Sequence, residues 1–288
     1  MKRLLAGVFG VGVATLAYAS LVERRWYALR RHRVPCLPPG SPNLTLLHIS
    51  DLHLRAHQGK KIGFLKSLAE LKPDIVIGTG DFLGDPDSVP ATLDAVGDLT
   101  GRVASIFVLG SNDYYSPTPK NPARYLMGPS KHNPKGRQNP WREMTAGLQE
   151  RGWLVLTNER IEVGAIDIVG LDDPHIGRAK IQTATARTMP GLRLAVAHSP
   201  EPAFELAHLG YDVILSGHTH GGQLRVPGYG AVVTNTHGLP REMVRGLHPI
   251  NGGWLHVSAG LGTSMYAPVR FACRPEACVL DLVPREGD

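Results

Sequence analysis

Ser216-Gly217-His218-Thr219-His220-Gly221-Gly222-Gln223 follows directly on the apolar run Val213 to Leu215, and the rest of the chain is best read outward from it. Two imidazoles two residues apart, in a loop walled by glycine where backbone can approach closely, make a metal-binding corner. An H-x-H turn is also what a polar surface loop looks like, and the chain holds 13 histidines. The choice between the two readings rests on four places upstream.

Short apolar runs rich in Val, Ile and Leu precede each of those places. Thr45 to Ile49, Ile75 to Ile77, Val103 to Leu109, Leu192 to Ala197 and Val213 to Leu215 read as strands. Between them Lys61 to Leu71 and Ala91 to Leu99 carry apolar residues at helical spacing, and Trp141 to Arg151 forms a third helix. Strand and helix in alternation point to an α/β sheet buried on both faces. A second group, Trp153 to Leu156, Ala165 to Val169, Trp254 to Ser258 and Ala277 to Leu282, reads as further strands. The expected architecture is therefore two sheets packed face to face and flanked by helices, without internal repeats.

Each strand of the first group ends in polar residues able to bind a metal. These are Asp51 and His53, then Asp81, then Asn112, then His198, and finally His218 and His220. Singly, each has an ordinary reading: a helix cap or turn for the aspartates, a turn former for Asn112, a buried hydrogen-bonded ring for His198. Five successive strand ends carrying such residues are hard to attribute to capping, because the carboxyl ends of neighbouring strands converge where ligands bind. Seven oxygen and nitrogen donors with no thiolate suit two transition-metal ions, Mn, Fe or Zn, better than a structural zinc.

At 288 residues, 42% hydrophobic and 19% charged, the chain supports a large core without covalent staples. Its net charge of +6 favours acidic partners. Nucleic acid is disfavoured among them, since aromatics are 6% and no basic and aromatic alternation occurs. Cys36, Cys273 and Cys278 form no C-x-x-C pair, so neither a disulfide framework nor a cysteine zinc site is indicated.

Residues 1–43 read as a membrane anchor with a basic, proline-rich linker, and 44–288 as the domain that carries the strand-end residues. Leu4 to Val22 is a run of 19 residues without charge, long enough as a helix for a bilayer core of about 30 Å. Ala17-Tyr18-Ala19 fits a signal-peptide cleavage site, which leaves export as the competing reading. Arg24, Arg25, Arg30, Arg31 and Arg33 resist translocation and favour a single-pass anchor with residues 44–288 in the cytoplasm. Pro35, Pro38, Pro39 and Pro42 read as an extended linker. Residues 114–140 hold six prolines and the basic residues Lys120, Arg124, Lys131, Lys135 and Arg137, and read as a functional lid beside Asn112. Arg124 and Lys131 are its candidate substrate contacts.

The ordered set D-x-H, G-D, N, H, G-H-x-H resembles the calcineurin-like metallophosphoesterase superfamily, over roughly residues 44 to 285. Ser50-Asp51-Leu52-His53, Gly217 to Gln223, Gly260-Leu261-Gly262-Thr263 and Arg274-Pro275-Glu276 are similar to its membrane-anchored bacterial branch, which includes phosphodiesterases and hydrolases of UDP-diacylglucosamine type. The resemblance implies a four-layer α/β/β/α sandwich. It also implies one metal held by Asp51, His53, Asp81 and His220, and a second by Asp81, Asn112, His198 and His218. Asp81 then bridges, and a hydroxide shared by both ions attacks phosphorus in line.

One position departs from the family pattern. Where a histidine usually follows the asparagine and helps protonate the leaving oxygen, this chain has Asp113, and Ser111 adds a residue before it. An exposed aspartate beside a dication is a poor acid at neutral pH. Either another group, His132 or His175, supplies the proton, or the substrate is a diester or diphosphate whose leaving group needs little help. The function expected is a dinuclear phosphodiesterase or diphosphatase acting on a lipid-linked or nucleotide-linked phosphate. The alternatives are a phosphomonoesterase and a non-catalytic, metal-containing module on the membrane surface.

Overall fold

The computed structural model describes residues 2–118, 121, 128, 136–186 and 190–286. One six-stranded sheet is ordered β1 (Ala28–Leu37), β14 (Glu276–Pro284), β2 (Leu44–Ile49), β3 (Ile75–Gly78), β4 (Ala104–Phe107) and β5 (Leu154–Val155). The other is ordered β12 (Gly246–Ile250), β13 (Gly253–Val257), β9 (Val213–Ser216), β8 (Leu192–Val196), β7 (Ile166–Gly170) and β6 (Glu159–Val163). β2 to β5 run parallel, as do β7, β8, β9 and β13, so their carboxyl ends share one rim. A ribbon of β10 (Arg225–Val226) and β11 (Gly230–Ala231) follows the histidine loop.

Side-chain alternation sorts the core into layers. Leu46, Ile75, Ile77 and Ile106 of the first sheet meet Ile168, Leu194, Val196 and Leu215 of the second. The alternate residues Leu47, Ile49, Val76 and Phe107 face outward, in one cluster with Leu65 of α2 (Gly59–Ser67), Val96 of α3 (Val89–Val96) and Leu148 of α5 (Trp141–Gln149). On the far side Ala195, Ile214 and Leu255 pack with Ala203 and Leu206 of α6 (Ala203–His208). Helix, sheet, sheet and helix therefore stack as expected. The edge strands β6 and β12 were not foreseen, because partial exposure gives them mixed polar sequences.

The amino terminus differs from expectation in two ways. Helix α1 covers Lys2–Ala17, 16 residues, and the chain continues as a π turn over Tyr18–Val22 and a tight turn over Glu23–Arg25. Among the described residues no helix is long and apolar enough to cross a membrane. The cause of the turn is polar: the Glu23 carboxylate accepts from the backbone N–H of Ala272 (3.1 Å) and Cys273 (2.6 Å), and the Arg270 N–H donates to the Ala19 carbonyl (3.2 Å). Secondly, much of the expected linker is β1, paired in parallel with β14. Pro35 is accommodated because β1 is an edge strand whose register shifts just after it.

Leu194→Ala, between the sheets, is expected to cost about 2–5 kcal/mol. Arg31→Ala, which breaks an exposed 3.0 Å pair with Asp281, should cost no more than about 1 kcal/mol. Urea unfolding of both variants measures the contrast.

Candidate metal centre

Five of the seven strand-end residues turn through left-handed backbone: Asp51 (φ 49°), His53 (40°), Asp81 (55°), His218 (65°) and His220 (51°). Such conformations cost a non-glycine residue of the order of 1 kcal/mol or more and persist where the surroundings over-determine them. Here they aim side chains from both sheets into one cleft. Gly217 is required by proximity, since a Cβ there would collide with Ser50 Oγ and Asp51 Oδ2. Gly110 is required likewise, because its Cβ would strike Asp81 Oδ1.

Asp81 Oδ2 occupies the middle. It lies 3.7 Å from His53 Nε2 and 3.5 Å from His198 Nε2, and accepts from Asn112 Nδ2 at 2.5 Å. Toward one side, His53 Nε2 and His220 Nε2 are 3.3 Å apart, and His220 Nε2 is 3.8 Å from Asp51 Oδ1. Toward the other, His198 Nε2 and His218 Nδ1 are 3.3 Å apart. All seven predicted residues thus come together. Asp51, His53 and His220 form one compact group of possible ligand atoms, and Asp51, Asp81 and His198 another.

The charge balance is that of a cation site. Burial holds His218 and His220 well below the usual histidine range and His53 at about 4, so these rings are neutral and can offer lone pairs. Burial also acts on His198, but the carboxylates of Asp81, Asp173 and Asp51 outweigh it and push that ring up to about 10. In the metal-free chain His198 therefore carries a proton where positive charge is needed. Its Nδ1 lies 2.7 Å from the Thr79 carbonyl, which fixes a proton there and leaves Nε2 facing the cleft. Burial raises Asp51 to about 6, while Asp81 stays below the usual carboxylate range because His198, His53 and the Asn112 hydrogen bonds outweigh its burial. His218 Nε2 and His220 Nδ1 are buried without a protein partner. Carboxylates, neutral imidazoles and an amide converging in this way fit divalent transition ions.

Asp113 is placed differently from the expected exposed acid. It is fully buried, and its two oxygens accept from the backbone N–H of Asp81 (2.8 Å), Phe82 (2.8 Å), Leu83 (3.2 Å) and Gly110 (2.9 Å). Burial, then the charge of Asp81, pushes its carboxyl up to about 7, while these bonds favour the ionised form. The short helix α4 (Ser111–Tyr114) explains the placement, by presenting Asn112 to the cleft and turning Asp113 back on the Asp81 loop. Asp113 thus staples that loop, with both oxygens turned to backbone N–H groups. His132, Arg124 and Lys131 lie outside the described residues. The base of the expected lid is closed by the Tyr115 and Gln138 bridge, and Asn139 Nδ2 donates to the Asn112 carbonyl at 2.7 Å.

In the loop after β7, Asp173 was missed, whereas His175, two residues on, is an alternative proton donor already named from the sequence. His175 sits at the rim with its ring 4.3 Å from that of His218. Asp173 is buried with Oδ2 unpartnered, and burial raises it to about 7. The signal was available, since Asp172-Asp173-Pro174-His175 is one more polar run at the carboxyl end of a strand. Arg270 had no such signal. It is fully buried and its guanidinium donates to the carbonyls of Ala259 (2.6 Å), Gly262 (2.6 Å) and His220 (3.4 Å), supporting the histidine loop from behind.

Asp113→Asn offers a single carbonyl oxygen to four N–H groups and sets its own amide against them. The expected result is a loss of about 1–3 kcal/mol in urea unfolding together with weaker metal retention. Unchanged stability and metal content with lost turnover would instead identify Asp113 as an acid acting on substrate.

Residues 44–222 match the calcineurin-like phosphoesterase family. Phosphodiesterase YaeI of Escherichia coli is 28% identical, over 92% of each chain. UDP-2,3-diacylglucosamine pyrophosphatase LpxG of Chlamydia muridarum is 27% identical, over 96% of this chain and 95% of that one. The metallophosphoesterase YkuE of Bacillus subtilis is 25% identical, over 98% of this chain and 96% of its own. With the match spanning well over half of its length, the chain belongs to the calcineurin-like phosphoesterase family, and it is a metal-dependent phosphoric ester hydrolase.

Proposed function

We propose that the chain is a dinuclear phosphodiesterase or diphosphatase acting on a lipid-linked or nucleotide-linked phosphate at a membrane surface. The observation that carries the reading is the position of Asp81 Oδ2 between the His53 and His220 side and the His198 and His218 side of one cleft. In this reading Asp51, His53, Asp81 and His220 hold one ion, and Asp81, Asn112, His198 and His218 the other. Mn, Fe and Zn suit the donor set. When bound, two such ions supply Lewis-acid clamping of the phosphoryl oxygens and an activated water.

The chain's own groups do the rest. Thr79 fixes the proton on His198 Nδ1 and keeps Nε2 toward the cleft. Ser50 Oγ (2.5 Å) and the His218 N–H (3.0 Å) donate to Asp51 Oδ2 and orient that carboxylate. His175, at the rim beside His218, is the described side chain placed to give a proton to the leaving oxygen. The 114–140 segment serves as a lid, and its basic residues hold substrate anions.

Membrane attachment rests on the amino terminus. Phe9, Val11, Val13, Leu16, Leu21 and Val22 expose apolar side chains, and an arginine cluster follows. This segment is fastened by Glu23 and Ala19 to residues 270–273, which also support the His220 loop. A lipid-linked substrate held in the bilayer surface would then lie close to the centre. The arginines favour a cytoplasmic catalytic face. Two relatives bear names for phosphodiester and UDP-diacylglucosamine diphosphate cleavage, which supports the substrate class.

Hydrolysis of bis(p-nitrophenyl) phosphate should require added Mn and stop with chelator. It should exceed that of a dialkyl phosphate, because an aryl oxide leaves with little help from a proton donor. His220→Ala is expected to lower it by more than the about 10–100-fold that outer-shell changes cost. Turnover unaffected by chelator or by the substitution would refute the reading.

Metal loading should also depend on pH. Because His198 holds a proton up to about pH 10 in the metal-free chain, binding must expel it. Apparent affinity, measured by competition with a chelator, should rise as pH increases through the neutral range; a flat profile would contradict this.

A further inference from the structure

Away from the strand-end cleft, a second set of metal-ligating side chains meets inside the sandwich. His32 of β1, His256 of β13 and Cys278 of β14 each present one ligand atom, and these atoms lie within 4.8 Å of one another. The register explains the meeting. Cys278 pairs with His48, and His32 with Leu280, so alternation turns them to the same inter-sheet face as Leu46 and Val34. His256 shares its face of the opposite sheet with Trp254.

The His256 ring is prepared for ligation. Its Nδ1 lies 2.8 Å from His48 Nδ1, and His48 Nε2 lies 2.9 Å from Thr79 Oγ1. If His256 Nδ1–H donates to His48, then His48 Nε2–H donates to the threonine hydroxyl, and His256 Nε2 keeps a bare lone pair. The reverse arrangement leaves a buried N–H with no acceptor. Either way Nε2 is a buried polar atom without a protein partner, a cost that a bound cation removes. Burial keeps His256 at about 3 and lowers His32, so both rings are neutral, as ligands must be.

The remaining groups define what can bind. Cys278 is fully buried and unpaired, and burial holds its thiol well above the usual cysteine range. The nearby Glu276 carboxylate is committed to Arg30 (2.5 Å) and Arg245, which leaves two imidazoles and a sulfur. That set selects a thiophilic ion over Mg, Ca or Mn. His32 is only partly buried, and its side chain provides both the entry path and the adjustment that bonds of about 2.0–2.3 Å require. No sequence spacing revealed the group, because its members come from three strands and two sheets.

We propose that His32, His256 and Cys278 form a separate site for one thiophilic d10 cation, Zn2+ or Cu+, which ties the edge strand β1 and its neighbour β14 to β13 of the opposite sheet. Binding forms one metal–sulfur and two metal–nitrogen bonds, and the thiol proton leaves to solvent. The site is distinct from the strand-end centre, which has no thiolate.

Cobalt(II) titrated into the full-length chain tests this, because a thiolate–cobalt charge-transfer band in the near ultraviolet reports sulfur ligation alone. The band is expected in the wild type, lost in Cys278→Ser and weakened in His32→Gln. Zinc analysis should give one ion fewer per chain in Cys278→Ser. Retained hydrolysis of bis(p-nitrophenyl) phosphate shows that the variant is folded; should it not fold, His32→Gln, at a partly exposed position, carries the comparison. Zn2+ in excess over all three sites, or Cu+ in the same excess under reducing conditions, should abolish the band, and the more effective ion identifies the preferred occupant. Absence of the band, its persistence in Cys278→Ser, or displacement by neither ion overturns the proposal.

Discussion

Asp51 and Asp81 hold carboxylates in the interior of the protein, at positions 0% and 2% exposed, and most of the cleft is arranged around tolerating that charge. Isolated buried anions are prohibitively costly, so they must be met by hydrogen bonds, protons or cations. The chain meets them in part with the backbone N–H groups of His218 and Asn112, and with the proton of His198. The neutral rings of His53, His218 and His220 supply lone pairs rather than charge. A site that is short of positive charge and rich in lone pairs is one that metal ions complete.

Bringing these groups together is costly for the backbone. Left-handed turns at Asp51, His53, Asp81, His218 and His220 are uncommon for any residue but glycine, even though Asp and His tolerate them better than most, and the structure offsets them locally. Asp113 gathers four backbone N–H groups of the Gly110 and Asp81 loops, and Arg270 gathers carbonyls behind the histidine loop. Both side chains are buried, and their hydrogen bonds hold the strand ends in register with one another. Because Ala19 and Glu23 join the same cluster, the amino-terminal segment is mechanically continuous with the centre.

The parallel strands and the seven strand-end residues were legible because both follow from short-range rules: apolar runs mark buried strands, and polar residues at their carboxyl ends mark the rim. What escaped follows from burial and partners, which spacing does not reveal. Asp113 looked exposed because its neighbours Ser111 and Asn112 are polar, yet the turn of α4 drives it inward. β1 looked like a linker because it carries three arginines and Pro35 and leads into further prolines, although an edge strand accepts both arginine and proline. The cluster of His32, His256 and Cys278 exists only once β1 and β14 face β13.

The central claim is that two cations share Asp81 in one cleft. Anomalous diffraction from crystals grown with Mn tests it most directly. The account requires two peaks, one against Asp51, His53 and His220 and the other against Asn112, His198 and His218, with Asp81 between them. A single peak, or two that leave Asp81 uncoordinated, would contradict it.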